Sequence, residues 1–263
     1  MQSEDILAKK PPEPDFRLTY GADPNQFADV RLPSGKGPHP LVFFIHGGYW
    51  RAQYDLTYAG HLCHALKSAG LATWNVEYRR VGNPGGGWPG SFEDIRSAYR
   101  ALRGQANDSN PKFNLGRVCV AGHSAGGQLA LCLAAHERSV ARVLSLAGVL
   151  DLRRGWDLHL SNDAVAQFLG GPPGEVPDHY SEASPAQQKI PGKQKLVHGT
   201  ADTSVPYEIS QSYAQLKKKA GEDIELITLP KIGHFEIVDP ASSVWSKMQD
   251  LFLLLTADSH RRH

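Results

Sequence analysis

The residues with the clearest chemical meaning form the pentapeptide Gly-His-Ser-Ala-Gly at positions 122–126. An apolar run at 118–121 predicts a strand before it, and helical spacing at 125–136 predicts a helix directly after it. A serine at such a strand-to-helix turn is held in a strained backbone conformation and is exposed at the tip of the sheet. The pattern predicts that Ser124 is a nucleophile for acyl transfer. The alternative is that Ser124 only caps the helix.

A serine hydroxyl becomes a nucleophile when a base takes its proton and a third group orients that base. In a sheet of this kind, the acid and then the histidine follow the serine along the chain. Asp202 follows a predicted strand at 196–198, and His234 follows one at 224–228, so both emerge at the edge that carries Ser124. We predict that His234 is the base and that Asp202 orients it.

Other residues compete for these two roles. His198 is a second choice for the base, and Glu236 and Asp239 are close enough to His234 in sequence to compete as the acid. The remaining histidines after the nucleophile have simpler explanations at a helix end, in an inserted segment or in the C-terminal tail: His136, His159, His179, His260 and His263.

A tetrahedral intermediate needs hydrogen-bond donors that already point at its oxygen, and backbone amides meet this need without reorganisation. The segment His-Gly-Gly-Tyr-Trp at 46–50 begins where a predicted strand at 41–45 ends. We therefore predict that the amides of Gly48, Tyr49 and Ala125 donate to the oxyanion, and that His46 fixes the loop. The alternative is an ordinary glycine turn. Because Tyr49 crowds the acyl side, we expect short acyl chains, from formyl to butyryl.

Six aromatic residues are candidates for the walls of a pocket suited to a flat or apolar group. Most aromatic side chains of a domain pack in its core, so only two or three of the six are expected to contact substrate. The candidates are Trp50, Tyr54, Trp88, Trp156, Phe168 and Phe235.

Short apolar runs alternate with helical patterns from about residue 40 onward. This alternation predicts a parallel sheet with helices on both faces. The predicted fold class is α/β, doubly wound and mostly parallel, with an added antiparallel strand at 26–32 and a last helix at about 241–255. The predicted parallel strands lie at 41–45, 71–76, 118–121, 140–146, 196–198 and 224–228.

A length of 263 residues is enough for one domain with its own core. Residues 151–192 interrupt the alternation, because aromatic and leucine residues there are mixed with a glycine and proline run at 170–173. We predict a single domain over residues 1–263, with a small cap inserted at approximately 151–192.

The composition argues against several kinds of partner. Twenty-eight basic and 27 acidic residues leave a net charge of +1 with no long block of one sign, which argues against a nucleic acid or a membrane surface. A secretory leader and a bilayer-spanning run are both absent from the pattern, so a cytoplasmic location is expected. The three cysteines lack metal-ligand spacing and are expected to be buried thiols. No cofactor is expected, and a homodimer is one possible oligomeric state.

Two patterns resemble ligand sites but lack the necessary context. The run at 85–90 satisfies Gly-x-Gly-x-x-Gly, yet residues 79–84 separate it from the preceding strand and Pro89 interrupts the turn, which argues against a dinucleotide site. His61 and His64 lie on one predicted helix, but no third ligand has suitable spacing, so no metal site is predicted.

Together, the segments at 46–50, 122–127, 198–202 and 233–235 resemble the α/β-hydrolase superfamily. Within it, they are similar to the branch that joins hormone-sensitive-lipase-like esterases with kynurenine formamidases, as are the segments at 76–80 and 92–95. The resemblance covers roughly residues 20–256. His-Gly-Gly-x-Trp is similar to the motif of the formamidases, whereas many esterases of this branch have a third glycine where Tyr49 stands.

The resemblance implies a serine hydrolase that cleaves small carboxylic esters. The alternative that it implies is an arylformamidase acting on N-formylkynurenine-like amides, since one acyl-enzyme mechanism serves both. A non-catalytic protein of the same fold that binds a small molecule is the alternative from another class, although no catalytic residue type is missing.

Overall fold

The structure is a computed structural model that describes residues 5–105 and 112–257. In this part of the chain, eight strands form one sheet in the order β1-β2-β4-β3-β5-β6-β7-β8. The strands β1 and β2 pair antiparallel with their neighbours, and the others pair parallel, which confirms the predicted α/β fold class. The strands are β1 (Phe16–Thr19), β2 (Phe27–Arg31), β3 (His39–Ile45), β4 (Ala72–Val76), β5 (Phe113–His123), β6 (Arg142–Leu146), β7 (Lys193–Gly199) and β8 (Ile224–Leu229).

Helices cover both faces of this sheet. Side chains of α2 and α9 pack in one hydrophobic cluster, and those of α3, α4 and α8 pack in another. The helices are α1 (Asp5–Ala8), α2 (Ala59–Ser68), α3 (Gly90–Gly104), α4 (Ala125–His136), α5 (Leu152–Asp157), α6 (Ala164–Leu169), α7 (Pro177–Ala183), α8 (Tyr207–Lys219) and α9 (Trp245–Leu255).

The central strand β3 shows why its sequence is apolar throughout. Phe43 belongs to the cluster on one face and Phe44 to the cluster on the other, and both are fully buried. A strand buried on both faces cannot alternate between apolar and polar residues. The two clusters hold the strand ends rigidly at the edge where the loops of the site emerge.

Several elements differ from the sequence prediction, and β1 and the last helix differ for a clear physical reason. The prediction left out β1, whose residues alternate between half-buried and exposed positions at the edge of the sheet. The last helix begins at Trp245 rather than near Ala241, because Asp239 ties residues 239–242 into a turn through its side chain and its carbonyl.

The segment between β6 and β7 carries α5, α6 and α7. Residues 151–192, predicted as a cap, lie within it, and Leu152, Val165 and Tyr180 pack into the same cluster as α4. The boundaries of a cap and the single domain stay predictions. Among the described residues, no helix combines the length and the apolar character needed to cross a membrane.

Candidate active site

Ser124 lies at the turn between β5 and α4, with backbone angles φ 56° and ψ −121°. A residue with a Cβ rarely adopts a positive φ, so neighbouring contacts must hold this conformation. The Ser124 amide donates to the Leu146 carbonyl at 2.8 Å. Only glycine fits at positions 122 and 126, two residues before and after Ser124. A Cβ on Gly122 would lie 2.0 Å from the Gly126 oxygen, and one on Gly126 would lie 2.1 Å from the Ile45 oxygen.

Asp202 and His234 meet in the loops that follow β7 and β8. His234 Nδ1 lies 2.7 Å from Asp202 Oδ2, and the Asp202 side chain is fully buried. The amides of Ser204 and Val205 each donate to Asp202 Oδ1 at 2.8 Å. Burial opposes the charged form, but hydrogen bonds from His198, His234 and the Val205 amide outweigh it and hold the pKa of Asp202 below its ordinary value.

His198, the competing base, lies behind Asp202 rather than beside Ser124. Its side chain is fully buried, and its Nε2 is 3.1 Å from Asp202 Oδ2 and 2.9 Å from the Val205 carbonyl. Its Nδ1 contacts Ser210 Oγ at 2.7 Å. Since both nitrogens are engaged away from the cavity, His198 supports Asp202 and has no access to a substrate.

The remaining competitors lie elsewhere. Within the described residues, neither Glu236 nor Asp239 hydrogen-bonds to His234, and the side-chain oxygen of Asp239 instead accepts a hydrogen bond from the Ala241 amide. The histidines at 136, 159 and 179 bond within or next to their own helices. The last two, His260 and His263, lie outside the described residues.

Ser124 and His234 open onto the same cavity, whose volume is about 290 Å³. Gly48 and Tyr49 line it as well. The described residues show no hydrogen bond between Ser124 Oγ and His234. Such bonds are often long in a free enzyme and shorten when substrate binds.

The loop at 46–50 packs directly on the nucleophile, because a Cβ on Gly47 would lie 2.9 Å from Ser124 Cβ. Gly48, Tyr49 and Trp50 have φ angles of 105°, 49° and 57°, so the backbone turns sharply here. Within the described residues, the amides of Gly48, Tyr49 and Ala125 donate to no other group. These three amides therefore have no competing acceptor, as the donors of an oxyanion site require.

Buried polar contacts fix this loop. His46 Nδ1 is 2.8 Å from the Gly47 carbonyl, and His46 Nε2 is 3.0 Å from Glu77 Oε1. Tyr78 donates to the His46 carbonyl at 3.1 Å. The hydroxyl of Tyr49 donates to the Ser204 carbonyl, which joins the loop to the one that carries Asp202.

Four of the six aromatic pocket candidates do not line the cavity, and the prediction is corrected for them. Trp50 is fully buried, donates to Gln128 Oε1 at 3.0 Å and stacks on the buried Phe168 at 4.4 Å. Trp88 stacks on Phe92, and Trp156 packs under Arg153, both away from Ser124. Large apolar rings gain more from core packing than from a half-open wall. The cavity is lined by the remaining two, Tyr54 and Phe235.

Five further residues line the cavity, and sequence reasoning missed them. His123 sits inside the serine pentapeptide and Ser204 follows Asp202 closely, so their positions gave a usable signal. The other three come from segments with no recognisable motif. The five are Leu7, Tyr58, His123, Ser161 and Ser204.

Solved structures confirm the predicted fold. A truncated carbohydrate esterase from gut microbiota has a TM-score of 0.79 at 22% identity, covering 95% of this chain and all of that one. An esterase B from Lactobacillus rhamnosis, solved with an inhibitor, has a TM-score of 0.77 at 21% identity, covering 97% of this chain and 92% of that one.

Curated relatives are esterases by name. A probable isoprenylcysteine alpha-carbonyl methylesterase of Oryza sativa is 24% identical over 92% of this chain, which spans 63% of that protein. The carboxylic ester hydrolase LipN of Mycobacterium tuberculosis is 34% identical over 42% of this chain, which spans 28% of it. Carboxylesterase NlhH of the same organism is 25% identical over 89% of this chain and 82% of its own length.

The family model BD-FAE matches residues 28–217. The match runs from β2 into α8 and includes the loop at 46–50, Ser124 and Asp202, whereas His234 lies beyond it. Since the match covers most of the described sheet, this chain belongs to the BD-FAE family.

Proposed function

We propose that this protein is a carboxylesterase that cleaves small carboxylic esters through an acyl-enzyme on Ser124. The observation that carries the proposal is the Asp202–His234 contact at 2.7 Å, in which His234 opens onto the same cavity as the strained Ser124. The names of the curated relatives support an ester as substrate.

In the first half of the reaction, His234 Nε2 takes the proton of Ser124 as Oγ attacks the ester carbonyl carbon. The carbonyl oxygen becomes an oxyanion and receives hydrogen bonds from the amides of Gly48, Tyr49 and Ala125. Asp202 stabilises the imidazolium of His234. The C–O bond then breaks, the proton passes from His234 to the leaving alkoxide, and the acyl group stays on Ser124.

In the second half, His234 takes a proton from water, which attacks the acyl carbon through a second oxyanion. The bond to Ser124 Oγ breaks, and the proton returns to this oxygen as the acid leaves. Tyr49 and Tyr54 stand beside the nucleophile in a cavity of about 290 Å³, which favours acyl groups from formyl to butyryl.

The formamide alternative uses the same steps, with an amine as the leaving group. The loop that ends in Tyr49 and Trp50 favours it as the second candidate. Comparison of kcat/KM for p-nitrophenyl acetate and for N-formylkynurenine separates the two, and we expect the ester to be the better substrate.

Ser124→Ala tests the mechanism. We expect a loss of hydrolysis by about 10⁶-fold, because the nucleophile and base act as a unit, together with loss of labelling by a fluorophosphonate probe. Turnover at the wild-type rate in this variant contradicts the proposal. A wild-type protein that binds esters yet neither cleaves them nor reacts with the probe indicates a non-catalytic binder.

A further inference from the structure

Tyr58 and His123 form a buried chain of hydrogen bonds between three loops of the site. Tyr58 ends a short 3₁₀ turn at 56–58, and His123 is the last residue of β5, directly before Ser124. Tyr58 is 5% exposed and His123 is 1% exposed. The Gly47 amide lies 2.7 Å from Tyr58 Oη, Tyr58 Oη lies 2.8 Å from His123 Nδ1, and His123 Nε2 lies 3.1 Å from the His234 carbonyl.

The direction of each hydrogen bond follows from the groups themselves. A carbonyl oxygen only accepts, so His123 Nε2 carries the proton and donates to His234. Burial and the neighbouring His234 lower the pKa of His123 well below its ordinary value, so the ring is neutral and its Nδ1 accepts. Tyr58 therefore donates its hydroxyl proton to His123, and its oxygen receives the amide of Gly47. The Tyr58 hydroxyl thus both donates and accepts, and each ring nitrogen of His123 has one partner.

Aromatic rings cover most of these hydrogen bonds where Tyr58 and His123 border the cavity. The Phe235 ring meets the Tyr58 ring edge-on at 5.9 Å and lies 5.6 Å from the His123 ring. The rings of His123 and His234 are 4.5 Å apart. Since Tyr58 and His123 are at most 5% exposed, water has little access to compete for these bonds.

We infer that Tyr58 and His123 are positioning residues that fix the oxyanion loop, the nucleophile and the base relative to one another. The inference rests on the proposed esterase function. Gly47 precedes the first oxyanion donor, His123 precedes Ser124, and the third contact is the backbone of His234 itself. None of these bonds moves a proton during the reaction, so the chain acts on geometry alone.

Tyr58→Phe tests the inference, because it removes one hydroxyl from the chain. A displacement of about 1 Å among reacting groups costs up to about a hundredfold in rate. We therefore expect kcat, measured per active site titrated with a fluorophosphonate, to fall about tenfold to a hundredfold, while KM for p-nitrophenyl acetate changes less than about twofold. Tyr213→Phe is the matched control, since Tyr213 is 1% exposed and donates to Gln194 at 2.6 Å far from the cavity. Its kcat per titrated site should stay within about twofold of wild type.

His123→Asn is a second, independent variant. The asparagine oxygen can still accept from Tyr58, but the shorter side chain cannot reach the His234 carbonyl. We expect a similar fall in kcat at nearly constant KM, and this variant decides the question if near-UV circular dichroism shows that Tyr58→Phe does not fold. Wild-type kcat in either folded variant overturns the inference and leaves the esterase function intact. A wild-type protein without esterase activity overturns the proposed function instead.

Discussion

Asp202 accepts several hydrogen bonds from neighbouring residues of the site. Its two oxygens contact two histidines and two backbone amides, and its side chain is fully excluded from solvent. A buried carboxylate is stable only when such contacts compensate for the hydration that it loses. In the proposed mechanism, Asp202 therefore serves catalysis and stability through the same bonds.

Asp202→Asn should affect both properties. An amide cannot hold His234 in the tautomer that accepts the serine proton, so we expect kcat to fall by about 10⁴-fold, as at comparable triads. The pKa of Asp202 is lower in the folded chain than in the unfolded chain. Its ionisation therefore stabilises the fold above the unfolded pKa of about 4, and this contribution is lost as the pH falls.

Denaturant unfolding at pH 5, 4 and 3 measures that contribution. The free energy of unfolding of the wild type should fall with pH more steeply than that of Asp202→Asn, because the variant has no carboxyl to protonate at this position. Parallel lines for the two proteins would contradict the role given to the four hydrogen bonds.

At the scale of elements, one strained turn ties the inserted segment to the loop at 46–50, which carries two of the proposed oxyanion donors. Ser161, Asn162 and Asp163 have φ angles of 48°, 53° and 57°. This left-handed conformation costs about 1 kcal/mol or more for each residue other than glycine. The Arg51 guanidinium donates to Ser161 Oγ at 3.0 Å, to the Asn162 carbonyl at 3.3 Å and to the Ser161 carbonyl. Arg51 directly follows the oxyanion loop, so it holds Ser161 against the cavity.

Arg51→Ala should let this turn relax and displace the cavity wall at Ser161. We expect KM for p-nitrophenyl butyrate to rise about threefold to tenfold, which corresponds to about 1 kcal/mol of lost binding, with a smaller change in kcat. Arg154→Ala is the control, since Arg154 lies on the same inserted segment and, among residues 5–105 and 112–257, its guanidinium pairs only with the exposed Glu208 at 2.7 Å. If both variants have the wild-type KM, Arg51 does not shape the cavity.

The sequence predicts those elements whose pattern has a local cause. Strands buried on both faces are apolar throughout, as at Phe43 and Phe44, and the glycines around Ser124 are required by close backbone contacts. The left-handed turn at 161–163 has only a weak local signal, because Asn162 and Asp163 tolerate this conformation less well than glycine does. Arg51, from a distant part of the chain, holds the turn. Leu7 reaches the cavity for a similar reason, through tertiary packing of the first helix.

The same limit explains why four aromatic residues were predicted to line the cavity but do not. Trp50 stands beside the oxyanion donors in sequence, yet its ring points into the core, where Gln128 satisfies its only polar atom. Composition and spacing cannot distinguish a ring that packs inward from one that faces a substrate. That distinction depends on which side chains the tertiary fold brings opposite to it.

At the scale of the whole molecule, the sheet separates two hydrophobic clusters, and cysteines lie in both. Cys132 belongs to the cluster that contains α4, whereas Cys63 and Cys119 belong to the one that contains α2 and α9. All three are free and fully buried. Burial raises the pKa of Cys63 to about 11 and those of Cys119 and Cys132 to about 12, so the reactive thiolate is scarce at neutral pH.

These thiols should report on how the two faces of the sheet open. In the native protein at pH 8, we expect no reaction with Ellman's reagent within minutes, and three equivalents of thiol after unfolding in guanidinium chloride. Since β3, β5, β6 and β7 each contribute side chains to both clusters, neither face can open without loosening the other. Mass spectrometry after partial alkylation at intermediate denaturant should therefore show chains with either no label or three labels. Chains labelled at Cys63 and Cys119 but not at Cys132 would show instead that the helices on one face detach while the other face stays packed.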